Sequence, residues 1–197
     1  MIPDGVVLEL ASKRRSIRKF MTTPVPLGDV FYAIKAALQA PSGANRQPWR
    51  FVVIGDSETK MRIREASEAW EKRFHESGSL PEWFRKWLRE RNITWEKPFL
   101  SEAPYLIAVF SRRGEPYARE STWLAIGYLL LALEEKGLAS LTYTPANPNV
   151  LAKMIGTPRN YMLETIIPVG LAGEDKKKEN RLSLREAVFI NEWGNQV

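Results

Sequence analysis

Arg14-Arg15-Ser16-Ile17-Arg18 sets three guanidinium groups and a hydroxyl within five residues. In a regular helix those side chains splay around the cylinder. In an extended stretch Arg14, Ser16 and Arg18 point to one side. That side is a row of charged forks and a donor, suited to a phosphate or to the carbonyl edge of a heterocycle. A basic run alone also reads as a solvated charge cluster after a short helix, so its neighbours decide.

Upstream, Val6–Lys13 reads as a short helix with Asp4 as a possible cap. Downstream, Pro24 and Pro26 make a turn. Leu27–Gln39 is an amphipathic helix with Val30, Phe31, Ile34 and Leu38 on one face. Then comes Pro41-Ser42-Gly43-Ala44-Asn45-Arg46-Gln47-Pro48-Trp49. Gly43 and its small neighbours let a ligand approach the backbone, and Ser42, Asn45 and Gln47 supply donors and acceptors. In isolation the run reads as a turn. It leads into a strand over Trp49–Ile54, after which Ser57 can cap the next helix.

Residues 57–97 are rich in charge and tryptophan. Glu58–Glu76 and Pro81–Arg91 read as helices joined by Ser77-Gly78-Ser79. Trp83 with Trp87, and Phe84 with Leu88, are one turn apart, either ordinary packing or a lid whose aromatics close over a substrate. Tyr105–Phe110 is a strand. Glu120–Lys136 is a helix, apolar almost all round from Trp123 to Leu133, a pattern that asks for burial against a partner subunit as well as its own sheet. Leu138–Thr144 and Met162–Val169 read as strands, and Asn149–Ile155 as a short helix ending at Gly156 and Pro158. The tail Leu184–Trp193 is too apolar to dangle free.

The 197 residues suit a single domain spanning 1–197, without internal repeat or domain boundary. No cysteine is present, so disulfides, iron–sulfur clusters and thiolate nucleophiles are excluded. The single histidine, His75, lies in a charged helical stretch and is expected to be exposed. No metal site and no Ser-His-Asp triad can be assembled around it. The net charge of +6 raises the question of nucleic acid. The bases are interleaved with acids, however, and Glu174–Asn180 reads as a surface loop, so an anionic cofactor accounts for the excess better and no nucleic-acid partner is expected. No signal peptide or membrane span is visible, which points to a cytoplasmic protein. Neither a G-x-G-x-x-G turn nor a P-loop motif is present.

The two opening runs, in this order, resemble the nitroreductase family of FMN-dependent oxidoreductases. So do Leu100-Ser101-Glu102-Ala103-Pro104 before a strand, Thr142-Tyr143-Thr144-Pro145 after a long helix, Pro168-Val169-Gly170 and Arg181-Leu182-Ser183-Leu184. The resemblance implies an α+β, three-layer fold. A central, mostly antiparallel sheet is flanked by helices, with 57–97 as a helical lid insertion and the C-terminal tail exchanged in a homodimer. It implies FMN as cofactor. Arg14, Arg15, Ser16, Arg18 and Arg181 would contact its phosphate, ribityl chain or pyrimidine edge. Pro41, Ser42, Gly43, Asn45 and Gln47 would also bind the cofactor, with Ser42 and Gly43 approaching from the second subunit. Thr142, Tyr143 and Thr144 match a segment running past the isoalloxazine ring.

Within the family, Trp95–Pro104, Pro41–Ala44 and Thr142–Asn147 are most similar to the iodotyrosine deiodinase-like branch. There a lid Glu, Tyr and Lys grip the substrate zwitterion. Lys97 matches the lysine, and reads alternatively as a surface lysine before a proline. Trp70 falls where the tyrosine should be, as a packing or stacking residue. Glu65 and Glu68 flank the glutamate position, and Glu68 is taken as the candidate. Ala44 matches a backbone contact to the phenolate. Thr144 matches a threonine whose hydroxyl bonds flavin N5 and favours one-electron chemistry, which makes it the catalytic candidate.

The function implied is an FMN-dependent oxidoreductase. It would pass electrons from NAD(P)H or another donor to a small aromatic acceptor: a nitroaromatic, a quinone or a halogenated phenol. Iodotyrosine reductive dehalogenation is the narrower alternative. A non-catalytic flavin- or polyanion-binding module is the alternative of another class.

Overall fold

The computed structural model describes residues 5–78 and 80–197. The sheet forms around β2 (Tyr105–Arg112), flanked by β1 (Trp49–Ile54) and β4 (Tyr161–Gly170). The two-residue β3 (Ala139–Ser140) lies beyond β4, and every pairing is antiparallel. β2 is buried from Leu106 to Ser111, on both faces. That explains its unbroken apolar run, because a strand covered on both sides loses the alternation of a half-exposed one.

Period-two geometry divides β2 between two cores. Ile107 and Val109 join Val30, Ala33 and Ala37 of α2 (Leu27–Ala37) and Ala125, Ile126 and Leu129 of α6 (Ala118–Glu135). Leu106, Ala108 and Phe110 face α3 (Ser57–Glu76), α5 (Phe99–Glu102) and α7 (Pro148–Met154) through Ile63, Leu100 and Leu151. The expected three-layer α+β architecture results. No helix among the described residues is long and apolar enough to cross a membrane.

Several local expectations shift. Asp56, rather than Ser57, caps α3, its carboxylate accepting from Thr59 N at 2.7 Å. The proposed Asp4 cap lies outside the described residues, as does Ser79; α1 (Val6–Lys13) starts after Gly5. The strand expected over Leu138–Thr144 is only Ala139–Ser140, resuming at a single Tyr143–Ile166 bridge. Pro168 is the reason. In this register it stands opposite Leu141, at a position where the ladder needs an N–H that proline lacks.

α2 buries Val30, Ala33 and Ala37 and leaves Phe31 and Leu38 exposed, so its apolar residues form two stripes and only the small-residue stripe faces α6. α6 likewise leaves Leu124 and Tyr128 exposed, so the protomer does not bury it on every side. In the tail, α8 (Leu184–Ala187) is held by a capping box at Ser183 and Glu186, while Ile190 and Trp193 remain exposed. α4 (Glu82–Glu90) buries Leu88 and stacks Phe84 on Trp87 at 5.8 Å, with Trp83 turned outward.

Replacing Ile107 with alanine removes a fully buried side chain from the central strand. We expect a loss of about 2–5 kcal/mol of unfolding free energy. Chemical denaturation will read it as a lower midpoint at unchanged slope.

Candidate functional site

The arginine run lies along the sheet. Ile17 N donates to Ser140 O at 3.2 Å, and Ser16 and Phe20 bridge to Ser140 and Ala172. Ile17 is a buried anchor, so alternation sends its neighbours Ser16 and Arg18 the other way. Arg14, Ser16 and Arg18 meet Lys176, Lys178 and Arg181 around a pocket of about 220 Å³. Burial is the main cause that depresses the Arg14 and Arg18 guanidinium pKa values, and Arg181 adds to it at Arg14. Arg15 differs. It also lines the pocket, but its guanidinium donates to Ser12 O at 2.6 Å, to Lys13 O, and to Lys176 O at 3.1 Å, closing the end of α1. Glu174 Oε1 accepts from the backbone N–H of Arg18 (2.6 Å) and Lys19 (3.2 Å). Residues 174–180 are the surface loop expected from their mixed charge, and Lys176–Glu179 within it also wall the pocket.

Past Arg18 the pocket opens into a cleft of about 480 Å³, lined by Ile93, Lys97, Phe99 and Thr142–Thr144. Arg18, Arg91 and Ile93 border both spaces, which form one trough, basic at one end. The Thr144 side of the trough is exposed. Behind it lies a buried cluster in which Glu71, not among the sequence candidates, joins the expected Tyr143 and Lys97. Glu71 Oε1 accepts from Tyr143 OH at 2.8 Å and from Ala146 N at 3.2 Å, while Lys97 Nζ lies 3.7 Å from Oε2. Burial, then the Glu71 charge, push the Tyr143 phenol far above the usual tyrosine value, so it remains a donor. Lys97 is no surface lysine: it is 6% exposed and donates to Thr94 O at 2.5 Å. Burial lowers its pKa against the opposing pull of Glu71.

Glu68 Oε1 accepts from Arg64 Nε and Lys97 N, both at 2.8 Å. Trp70 is more than one-third exposed, lies outside both parts of the trough and packs under Arg73, 5.0 Å from its ring. The signal for Glu71 was present in α3. Lys60, Ile63, Ser67 and Glu71 form its buried stripe at three- and four-residue steps, and Trp70 is off that stripe. His75, one turn past Glu71, is half-buried rather than exposed, with Nε2 3.9 Å from Glu71 Oε2.

The Pro41–Pro48 loop is elsewhere. Gly43 N donates to Ser121 Oγ at 3.3 Å, near the start of α6, and Gln47 N to Ser42 Oγ at 3.0 Å. A Cβ at Gly43 would meet Tyr117 Cδ2 at 2.8 Å, so the glycine is required by its own chain. Ala44, Asn45 and Gln47 hold left-handed conformations. Arg15 shares a cleft with Glu134, at the other end of α6. At 1.5 Å per residue, Ser121 and Glu134 are roughly 20 Å apart. Pro41, Ser42, Gly43, Ala44, Asn45 and Gln47 thus do not join the arginine run within one protomer. Among the described residues no cluster of His, Cys, Asp or Glu is arranged to hold a metal ion.

Residues 11–171 match the nitroreductase family profile. An iodotyrosine deiodinase from Thermotoga neapolitana is 49% identical over 93% of this chain and 99% of its own length. A second, from Haliscomenobacter hydrossis, is 37% identical over 82% of this chain and 77% of its own. A crystal structure of oxidized iodotyrosine deiodinase bound to FMN and 3-iodo-L-tyrosine superposes with a TM-score of 0.87 at 47% identity, covering 90% of this chain and 95% of that one. The chain belongs to the nitroreductase family.

Lys97 and Glu71 are a buried pair, so each single neutral replacement, Lys97→Met or Glu71→Gln, strands a partner and costs more than its share of the double replacement. A double-mutant cycle should give a coupling on the order of 1–3 kcal/mol. Purely additive losses in denaturant unfolding would remove the pair from this account. Because burial lowers Lys97, the folded chain binds that proton less tightly than the unfolded one. This cost is present below the lowered value and fades as pH rises toward the unfolded value.

Proposed function

We propose that this chain is an FMN-dependent oxidoreductase of the reductive dehalogenase type, acting as a homodimer on a halogenated phenol that carries an amino-acid group. The observation that carries the reading is the single trough with cations at one end and Lys97 with Thr142–Thr144 at the other. Its donor set fits FMN. Arg14, Ser16, Arg18 and Arg181, aided by Lys176 and Lys178, suit a dianionic phosphate. Thr142, Tyr143 and Thr144 suit the edge of a planar ring system. When bound, the flavin supplies the electron-transfer chemistry.

The chain's own residues position and shield. Glu71 holds Tyr143 OH and Ala146 N, and so fixes the backbone on both sides of Thr144, whose hydroxyl would donate to the bound flavin ring. Lys97 offers an ammonium to the substrate carboxylate. Residues 57–97 act as the lid: Trp87, Arg91 and Ile93 already wall the trough. The second copy would cover the exposed stripes of α2, α6 and the tail, and would bring Pro41, Ser42, Gly43, Asn45 and Gln47 to the flavin and Ala44 to the phenolate. NAD(P)H or another donor supplies electrons, in a cytoplasmic setting. A nitroaromatic or quinone as acceptor is the second reading, favoured by the tyrosine position of the lid being filled differently.

The purified protein should show flavin absorption bands, and 3-iodotyrosine should perturb them. Arg18→Ala and Arg181→Ala should each weaken FMN retention by roughly an order of magnitude. Lys97→Ala should raise the KM for iodotyrosine about tenfold or more while FMN stays bound. A flavin spectrum indifferent to iodotyrosine would leave the nitro- or quinone-reductase reading in its place.

A further inference from the structure

Glu71 lies between Lys97 and His75, and these two line adjoining cavities. Lys97 lines the trough on one side. On the other, His75 lines an adjoining cavity of about 390 Å³ with Arg85, Arg89 and Thr94, which meets the trough along Asn92, Ile93 and Thr94. Lys97 Nζ and His75 Nε2 both face Glu71 Oε2, at 3.7 and 3.9 Å, while Oε1 is filled by Tyr143 and Ala146. One buried carboxylate oxygen therefore has two candidate cations.

We propose that His75 is a reserve counter-ion for Glu71, taking up a proton when Lys97 is drawn to a ligand carboxylate, so that the site admits aromatic acids lacking an α-ammonium group. This rests on the reading of Lys97 as the substrate lysine given under Proposed function.

The argument is one of charge balance. An amino-acid ligand brings its own replacement: its carboxylate takes Lys97, and its ammonium stands in for Lys97 beside Glu71. The des-amino analogue brings only the carboxylate. Glu71 would then be a buried, under-compensated charge, which is costly. A proton delivered by hydronium from solvent, which is left as water, restores the balance on the imidazole.

The other charges around His75 do not supply this compensation. Arg85 donates to Gly78 O at 2.6 Å, and Arg89 to Glu82 Oε1 at 2.8 Å. Lys72 lies over the Trp95 ring. His75 sits in the last turn of α3, where the helix dipole favours an imidazolium. Burial and the Lys97 charge hold His75 below the ordinary histidine value, against the pull of Glu71. Drawing Lys97 away removes one of those depressing causes.

A bound value above the free one means that ligand binding takes up a proton. Affinity for the des-amino acid then rises as pH falls through the interval between the two values, by up to about tenfold per pH unit.

Because the chain has one histidine, the FMN-loaded protein gives a single imidazole titration by NMR. The probes are 3-iodotyrosine and 3-(4-hydroxy-3-iodophenyl)propionate, which share the iodophenol, so its ionisation cancels in the comparison. The des-amino acid should raise the His75 midpoint by about one pH unit, and iodotyrosine should leave it near the free value. In His75→Gln, with folding checked by retained flavin absorption, the pH slope for the des-amino acid should vanish. Equal midpoints with the two ligands overturn the proposal, as does a slope that survives in His75→Gln. So does failure of the des-amino acid to bind where iodotyrosine binds. If neither ligand binds, the reading of Lys97 falls and this inference falls with it.

Discussion

The carboxylate of Glu71 is the point at which the helical layer and the cleft are tied together. It reaches the sheet-edge segment through Tyr143 OH and Ala146 N, and the chain before α5 through Lys97. Three stretches far apart in sequence share one buried charge. Burying a carboxylate is expensive unless its oxygens are matched, so the geometry of residues 142–146 is dictated by donors that must stay aimed at Glu71. The backbone beside Thr144 inherits its position from that requirement.

The basic end of the trough is built on the opposite logic. Arg14, Arg18, Lys176, Lys178 and Arg181 border one small pocket with a single glutamate, Glu179, among its lining residues. Such a collection resists folding in proportion to its self-repulsion, and several members are tethered by carbonyl oxygens: Lys178 by Ala11 and Arg14, Lys176 by Ser16. An anionic ligand there offsets the repulsion, and so couples retention of that ligand to stability of the fold.

What could be read from the sequence follows the range of the interactions. Trp49–Ile54 and Val6–Lys13 were legible to the residue, because local pattern alone specifies them. The clustering of Arg14, Ser16 and Arg18 followed from strand alternation. The short β3 was not legible, because the cause is Pro168 on a different strand. Glu71 was not legible from the family likeness, which aligned Glu68 and Trp70 with the lid positions, whereas the helical stripe through Ile63 and Ser67 points to Glu71. Lys176 and Lys178 were read as surface because alternating charge looks solvated until the arginine run is laid beside it. Gly43 was read for ligand approach, and within its own protomer the glycine also makes room for Tyr117, a contact no local pattern announces. The family likeness conveyed the layer order, which no periodicity could.

The arginine run is also where the sheet stops. Beyond β3 the last extended segment is Arg14–Phe20, and an outermost segment normally offers free N–H groups to any passing strand. Here those of Arg18 and Lys19 are already taken by Glu174, and the side chains on either hand are cationic. The same residues that make a seat for an anion therefore guard against edge-to-edge association. Loss of Glu174 or of the arginines would expose a template for aggregation as well as weaken a binding pocket, so selection against misassembly and selection for ligand binding act on the same few positions.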